Sequence, residues 1–571
     1  MTSVPTDTVA TTASRRAWPA FAACLVAVFM QMVDTTIVNI ALPDLTTDLG
    51  ASSADQLLVL TVYTLAFACT LMTASRIGER LGRRRVFIAA LAGFTIASLL
   101  CGIAAGPGEL IAARGLQGAC AAFASAQTIA IISAIFPRAR HGLVFGVYGA
   151  TAGVAAMLGP VLGGALVGLD AFGLGWRTIF LVNLPFGVVA CVIAARAMPP
   201  VVGTLRESLD AIGVALSTIG LFLLIYPLST GREKGWPAWL LAMLVISIAV
   251  LVAFVLHERA LLRRGGAPLL RLDLFAERSF AVGAVLSLLF FSVFTAFFFT
   301  VSITTQFGLG YSPLHTGLIT LPFALGAAVG SLLSPLVVTR IGPRTLTVGM
   351  VVFAVSVAWM AIVIDPARHD IAVATLIAPL VLGGLGTGIF VAPLQAVILS
   401  GTTSRTVGSA SGTIPTVQQI GGSVGLAIIG IVFFALVGSA SSTGASAGAD
   451  DLRVRLGDTA VPAVAQPIVV SRFSDCVSRQ LSSPRPEVSP PGCSTQDSDA
   501  AADVGPQAAI LREAQPALRP AARVAAARAF LEAFSTIMWI ICATAAAVAA
   551  ISLAVPRARV IVPVGTPASV G

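Results

Sequence analysis

The sequence predicts an all-α polytopic membrane protein. Of its 571 residues, 57% are hydrophobic and only 11% are charged, and the mean hydropathy is +0.93, which is far too apolar for a soluble domain. Its apolar stretches run to about 20 residues or more, the length that a helix needs to cross about 30 Å of hydrocarbon. A β-barrel is disfavoured because its strands would alternate polar and apolar residues over about ten positions.

Fourteen stretches are long and apolar enough to be transmembrane helices. They lie near residues 18–41, 54–74, 86–105, 109–135, 142–168, 178–198, 209–230, 237–257, 280–303, 316–338, 345–364, 371–399, 408–438 and 530–555. An even number places both termini on one side of the membrane. The polar first fourteen residues do not resemble a cleaved signal, so the first stretch is expected to remain as a span.

The basic residues predict which side that is. Of the 35 Lys and Arg residues, 21 fall in the tails and loops on the side of the termini and four in the short loops opposite. Because short basic loops stay inside the cell, residues 1–17 and 556–571 are predicted to be cytoplasmic tails of a cell-membrane protein. The net charge of +9 then faces mostly membrane lipid, and no nucleic-acid partner is expected.

Segment 440–529 is consequently predicted to be an extracytoplasmic loop. It is rich in Ala, Ser, Pro, Asp and Arg and has few aromatic residues, so we expect it to be loosely ordered. Cys476 and Cys493 are the only two of the eight cysteines outside the predicted spans. In an oxidising compartment they can form a disulfide, although two free thiols are the alternative.

An internal repeat predicts the domain organisation. The pattern Arg-x-Gly-x-Arg occurs after the second span and again after the tenth, an offset of eight spans. This offset fits a unit of six spans that is repeated, with two spans inserted between the copies. The predicted parts are a six-helix bundle at 18–198, two extra helices with a cytoplasmic linker at 199–279, and a six-helix bundle at 280–555.

Two charged residues lie deep inside predicted spans, away from their ends. Asp34 follows Gln31 within the run QMVDTTIVNIALP, and an intramembrane carboxylate is a functional hypothesis by default. Arg114 lies in the fourth span, and helical rise places the two at depths of about 24 Å and about 21 Å above the cytoplasmic side. They can therefore form an ion pair whose protonation frees the arginine. The alternatives are an interfacial position for Asp34 and a purely structural role for Arg114.

Small and polar residues complete the pattern within the spans. In the fifth span, glycines allow close approach to a neighbouring helix and Pro160 bends the chain, which serves plain packing as well as gating. Neutral polar side chains are candidates for a substrate cavity or for hydrogen bonds between helices. The small-residue motif comprises Gly153, Gly159, Pro160, Gly163 and Gly164, and the polar set comprises Gln31, Asn39, Gln117, Gln395, Gln418 and Gln419.

Several motifs together resemble the fourteen-span drug:proton antiporters of the major facilitator superfamily. The first-span run VDTTIVNIALP resembles the signature of that branch, and SRIGERLGRRR at 75–85 resembles the loop motif of the superfamily, with Ser75 where Gly is usual and Glu79 where Asp is usual. The other similar stretches are ARGLQGACAA at 113–122, GPVLGG at 159–164, WRTIFLVNLPFG at 176–187, PLLRLDLFAERSF at 268–280 and SASGTIPTVQQIGG at 409–422.

The resemblance implies a major facilitator fold and proton-coupled export of bulky amphipathic compounds, with no cofactor beyond the proton gradient. It implies that Glu79 and Arg80, with Gly82 and Arg84, form a cytoplasmic gate between helices. It also implies that the Gly/Pro motif of span five favours antiport, that Tyr63 belongs to the substrate cavity, and that the protein works as a monomer. Span ten has no acidic residue, which makes divalent cations less suitable substrates.

Other classes of protein are disfavoured by the residues themselves. An ATP-driven pump needs a phosphate-loop lysine, but Lys234 is the only lysine and lies outside such a motif. The four histidines are scattered among loops and span edges, which does not indicate a catalytic or metal cluster. Within transporters, an exporter dedicated to one endogenous metabolite or lipid remains open, and a symporter fits less well.

Overall fold

The computed structural model describes residues 7–137, 140–170, 173–199, 210–368, 373–400, 406–483, 493 and 506–556, and their regular structure is helical. The first nine helices are α1 (Asp7–Leu49), α2 (Ser53–Leu81), α3 (Arg83–Gly102), α4 (Pro107–Ile135), α5 (His141–Leu169), α6 (Thr178–Leu181), α7 (Asn183–Ala197), α8 (Ala211–Lys234) and α9 (Ala238–Arg263). The other eight are α10 (Arg278–Ile303), α11 (Pro313–Ile341), α12 (Arg344–Val363), α13 (Val373–Ser400), α14 (Val407–Ser439), α15 (Ser441–Leu456), α16 (Gln466–Leu481) and α17 (Pro506–Ser552).

The predicted all-α fold with fourteen spans is confirmed. Within the described ranges, thirteen helical segments are long and apolar enough to cross a membrane, with α6 and α7 joined into one of them. The fourteenth is α5, which bends by 41° between its two parts, 141–156 and 158–169. The bend lies next to Ala156, four positions before Pro160. In a straight helix the carbonyl of Ala156 would clash with the proline ring.

Contacts between helices follow the repeat in the sequence. In the first half, α4 packs on α2 and α3, and α1 packs on α5 and α7. In the second half, α13 packs on α11 and α12, α10 on α14, and α17 on α12 and α10. The two halves meet where α5 contacts α11 and α13 and where α2 contacts α14. Helices α8 and α9 pair with each other, and α8 reaches both α2 and α14 beside this seam.

The two Arg/Gly turns reverse the chain at equivalent places in the halves. Gly82 between α2 and α3 has φ of 93°, and Gly342 between α11 and α12 has φ of 61°. Backbone in this region costs a residue with a Cβ about 1–2 kcal/mol, so glycine is the residue that ends these helices tightly. The side of the membrane on which these two turns lie is here called the basic side. The opposite side, which carries α15 and α16, is called the cap side.

The prediction that 440–529 is loosely ordered is wrong for 440–483 and 506–529. There, α15, α16 and the first part of α17 form a packed helical cap with a buried core that includes Leu452, Val470 and Phe473. Val469, Val470, Phe473 and Val477 repeat along one face of α16, as expected for an amphipathic helix.

Low aromatic content did not prevent folding of the cap because its helices approach each other closely. A Cβ on Gly448 of α15 would lie 2.7 Å from the Cβ of Ala525 and 2.8 Å from the carbonyl oxygen of Ala521 in α17. Small residues therefore bury backbone as well as side chains, a packing that composition alone does not reveal. A disulfide joins Cys476 of α16 to Cys493.

Candidate functional site

A buried ion pair lies inside the first half of the molecule. Nη1 of Arg114 in α4 is 2.5 Å from Oδ2 of Asp34 in α1. The two residues are 1% and 0% exposed. The depth argument from sequence therefore predicted a contact that the structure contains. Charges this deeply buried are tolerated only when they are paired and their remaining polar atoms are satisfied.

Neutral amides and a hydroxyl surround the pair. Gln117 lies one turn from Arg114 in α4 and accepts from Arg114 Nη1 at 2.8 Å, while its own amide donates to Asp34 Oδ1 at 2.8 Å. Asn183 of α7 donates to the same Oδ1 at 3.3 Å and to Ser98 Oγ at 3.0 Å. Three helices, α1, α4 and α7, thus meet at one carboxylate, and its charge is shared among three donors.

The guanidinium of Arg114 is also held from α2. Its Nε donates to the backbone carbonyl of Val59 at 3.4 Å, and its carbon lies 4.3 Å from the centre of the Tyr63 ring. A planar cation over an aromatic face is an arrangement that arginine makes and a lysine ammonium does not reproduce in the same geometry. The predicted residue Tyr63 is therefore part of the ion-pair environment.

Asn183 and Ser98 were not identified as site residues from the sequence. Asn183 did offer a signal, since it is a carboxamide inside the apolar stretch 178–198 and lies within WRTIFLVNLPFG. Ser98 offered none, because a single serine in a transmembrane helix usually bonds its own backbone. Here its hydroxyl instead donates to the carbonyl of Phe180 at 2.9 Å.

The motif WRTIFLVNLPFG also provides two side chains that bind the cap-side end of α1. Trp176 Nε1 donates to Asp48 at 3.0 Å, and Arg177 forms an ion pair with the same carboxylate. These bonds from Arg177 and Trp176 hold the pKa of Asp48 below its usual range. Asp48 lies beyond the span, so this pair is an exposed counterpart to the buried one.

The glycines predicted in α5 contact α1 next to Asp34. A Cβ on Gly159 would lie 1.8 Å from Thr36 Oγ1, and a Cβ on Gly163 would lie 2.9 Å from a side-chain carbon of Ile37. Any larger residue would push α5 away from α1, so close approach requires glycine at these positions.

The opposite face of α5 contacts α11 of the second half. Gly153 faces Ala327 and Gly164 faces Leu314, while Pro160 lies against Gly317. The Gly/Pro motif therefore connects the ion-pair helix α1 to the other half of the molecule through α5.

The predicted gate residue Glu79 is buried at the seam between α2 and α14. Its carboxylate pairs with Arg76 at 2.6 Å and with Arg83 at 4.0 Å. A Cβ on Gly408 of α14 would lie 1.4 Å from Glu79 Oε1. Ser75, which replaces the usual glycine, donates its hydroxyl to the carbonyl of Gly408. The acid at 79 therefore does join the two halves on the basic side.

Arg80 is the second gate residue that the resemblance implied. Arg80 is exposed, and none of the ion pairs found in the described ranges includes it. Its place is taken by Arg76, one turn earlier and on the buried face of α2. Arg84 lies on the adjoining turn and donates to the carbonyl of Ala195 in α7, so it ties α3 to α7 within the first half.

Among the described residues, no hydrogen bond joins the remaining polar candidates to the pair. Gln31 is buried in α1, whereas Asn39 is exposed and bonds only the carbonyl of Thr36 among the described residues. In the second half, Gln395 Oε1 and Gln418 Nε2 are buried side-chain atoms without a hydrogen-bond partner in the described part of the chain. Gln419 follows Gln418 in α14 and is half-buried. No cluster of metal-ligating side chains is found in the same part of the chain.

Paired helical halves, with a buried ion pair in one of them, define a polytopic membrane transporter. Residues 24–426 match the family described as Major Facilitator Superfamily. This chain belongs to that family, which makes it a multi-pass membrane transporter and not an enzyme.

Individual relatives narrow the comparison. The "Probable actinorhodin transporter" of Streptomyces coelicolor is 35% identical over 95% of this chain and 92% of its own length. The "Tetracenomycin C resistance and export protein" of Streptomyces glaucescens is 30% identical over 74% of this chain and 77% of its own. The crystal structure of the human organic anion transporter MFSD10 matches with a TM-score of 0.51 and 14% identity, covering 73% of this chain and 92% of that one. At this identity the structural match shows the fold alone.

Proposed function

We propose that this protein is a proton-coupled exporter of bulky amphipathic small molecules, an antiporter that works as a monomer in the cell membrane. The observation that carries the proposal is the buried pair of Asp34 and Arg114. A carboxylate in hydrocarbon is a site where a proton can be bound or released, because either state must be compensated by its surroundings. Both relatives compared above are named as transporters or exporters of antibiotics, which supports export as the direction.

The network offers a way to exchange the proton for a substrate. When Asp34 is charged, Arg114, Gln117 and Asn183 satisfy it. When it is protonated, Arg114 loses its counter-charge, so α4 and α1 no longer attract each other as strongly. The proton gradient supplies the driving force in this scheme, and no cofactor is needed.

Substrate recognition is assigned to Gln395 of α13 and Gln418 of α14, two helices that contact the first half through α5 and α2. The unpartnered Gln395 Oε1 and Gln418 Nε2 provide one acceptor and one donor among apolar spans. A buried polar atom without a partner costs about 1–3 kcal/mol, so a ligand that supplies the missing partners binds more favourably. A small molecule with a large apolar body and a few polar groups meets these requirements.

The proposal is tested with purified protein in proteoliposomes. A fluorescent amphipathic dye with a single positive charge should accumulate inside vesicles when the interior is made acidic, because inward dye movement is then coupled to outward proton movement. A protonophore should abolish the accumulation, and a sodium gradient of equal size should not replace the pH gradient. Equal accumulation with and without the pH gradient would refute proton coupling.

One observation favours a dedicated exporter as the second candidate. The match to the probable actinorhodin transporter covers 95% of this chain, so it extends through most of the cap as well as the membrane helices. A panel of chemically unrelated dyes and antibiotics separates the two candidates. Movement of several of them indicates multidrug export, whereas movement of one secreted metabolite alone indicates a dedicated exporter.

The proposed orientation places the basic side in the cytoplasm and the cap outside. A membrane-impermeant maleimide should then label Cys476 or Cys493 in intact cells after their disulfide is reduced. The double variant Cys476→Ser/Cys493→Ser is the control, since the six other cysteines lie in the membrane helices. Labelling that appears only after lysis would reverse the orientation.

A further inference from the structure

The segment that leads from α9 to α10 crosses the basic-side end of the seam. Four of its residues, 268–271, are here called the strap. Leu269 and Leu270 of the strap are buried in one apolar cluster with Phe254 of α9, against partly buried residues of α2 and α8. Apolar burial therefore fixes the middle of the strap to the inserted helices.

Two buried side chains hold the strap backbone through three hydrogen bonds. Arg76 of α2 donates through Nε to the carbonyl of Leu269 at 3.2 Å and also to the carbonyl of Pro268. The N–H of Leu270 donates to Glu258 Oε2 of α9 at 3.1 Å. Backbone groups buried outside regular structure need such partners, so the three contacts are strong constraints on the strap.

The strap also reaches the second half of the molecule. The N–H of Arg271 donates to Ser409 Oγ of α14 at 3.1 Å, and the same hydroxyl lies 3.4 Å from the carbonyl of Leu269. Arg76 meanwhile pairs with Glu79, the buried acid against Gly408. One short segment thus links α2, α9 and α14 where the halves touch.

The inserted helices α8 and α9 support the strap through Glu258, which they bury between them. Glu258 is fully buried in the last turn of α9. A Cβ on Gly213 of α8 would lie 2.5 Å from Glu258 Oε1, so glycine at 213 makes room for the acid. The preceding residue, His257, bonds Asp210, which caps α8.

We propose that the 268–271 strap is a lock on the cytoplasmic side, and that holding it is a role of the two inserted helices. This inference rests on the proposed function, because a transporter that opens to the cytoplasm must separate α2 from α14. The strap stays with α9 and α2, where the Arg76 guanidinium and the burial of Leu269 and Leu270 hold it, and releases from Ser409, where a neutral hydroxyl holds it. Hydrogen bonds to charged groups are the stronger ones, which decides the point of release.

A cross-link tests the release directly. The variant Arg271→Cys/Ser409→Cys joins the strap to α14 on oxidation, and we expect transport to fall to background and to return on reduction. The matched control Glu258→Cys/Leu270→Cys joins the strap to α9, so its oxidation should leave the transport of that variant unchanged. Cross-linking of each pair is verified by mass spectrometry of the linked peptides. Undiminished transport by the cross-linked Arg271–Ser409 protein would overturn the lock.

A labelling experiment tests the lock without relying on transport. Ser411→Cys places a thiol at the buried seam beside Ser75, and an impermeant maleimide is applied to inside-out vesicles. Adding Glu258→Ala should speed labelling about fivefold to tenfold, because a strap that α9 no longer positions must lose more conformational entropy to bond Ser409, which weakens the closed side. Glu258→Gln, which keeps an acceptor for Leu270, should restore most of the slow labelling.

The matched control is a substitution in the same linker but outside the strap. Glu277→Ala removes an exposed acid from the same linker outside the strap and should leave the labelling rate unchanged. Equal rates for Glu258→Ala and Glu277→Ala, in protein that elutes as an intact species, would refute the strap as a lock. Faster labelling without any proton-driven transport would keep the lock and refute the proposed coupling.

Discussion

Replacing Asp34 by Asn is expected to reduce pH-gradient-driven export to background. Asn keeps the shape of the side chain and can still accept from Gln117 and Asn183, the amides that now donate to Asp34. The Asn amide cannot bind and release a proton in the pH range of transport. The proton gradient therefore has no group at this position through which it can drive export. Movement of substrate down its own concentration gradient should remain, because the fold and the substrate-binding residues are retained.

The matched control is Asp44→Asn. Asp44 lies in the same helix ten residues later and is exposed, so its neutralisation should leave export unchanged. Both variants are first checked for membrane insertion and for a single peak in detergent. Gradient-driven export that survives in the Asp34→Asn variant would remove this residue from the coupling mechanism.

Replacing Arg114 by Lys is expected to lower the rate of export more than tenfold, despite the retained charge. A lysine cannot bond Asp34, Gln117 and the carbonyl of Val59 together while stacking on a ring, as the planar guanidinium does. The ionised form of Asp34 then loses part of the compensation that the guanidinium supplied. The pH of half-maximal transport should therefore move upward, a change that a merely structural role for Arg114 does not produce.

The double variant Asp34→Asn/Arg114→Gln gives the coupling between the two positions. Removing one partner of a buried pair costs about 3–5 kcal/mol in stability, whereas removing both leaves no unpaired charge. The combined loss of stability should thus be smaller than the sum of the single losses by at least about 1 kcal/mol.

The exposed pair of Asp48 and Arg177 is the control for the buried pair. The losses of stability caused by Asp48→Asn and Arg177→Gln should add. Simple additivity at Asp34 and Arg114, in correctly inserted protein, would mean that their contact is not an energetic one.

Some of the site could be predicted because it depends on distances along single helices. A rise of about 1.5 Å per residue places Asp34 and Arg114 at one depth whatever the helices pack against. The position of Gln117, one turn from Arg114, follows from the same periodicity. Asn183 and Ser98 could not be placed, because the bond of Asn183 to Asp34 and that of Ser98 to Asn183 depend on how α3 and α7 are rotated about their axes.

The predicted gate was likewise only partly predictable from the sequence. Glu79 was predicted from its motif, but the choice between Arg76 and Arg80 depends on which face of α2 turns toward α14. A transmembrane helix with apolar residues around most of its circumference does not reveal its buried face by periodicity. Only the packed structure shows Arg76 inside and Arg80 outside.

The sequence by itself determined the number of spans, their order and the depth of the buried charges, since length and hydropathy act locally against a slab of hydrocarbon. Tertiary structure alone decided the folded cap and the strap. In the cap, Gly448 allows α15 to lie directly on Ala521 and Ala525, and in the strap, Arg76 and Ser409 satisfy backbone groups far away in the chain. Such contacts depend on how backbones approach one another in space, which composition and hydropathy do not encode.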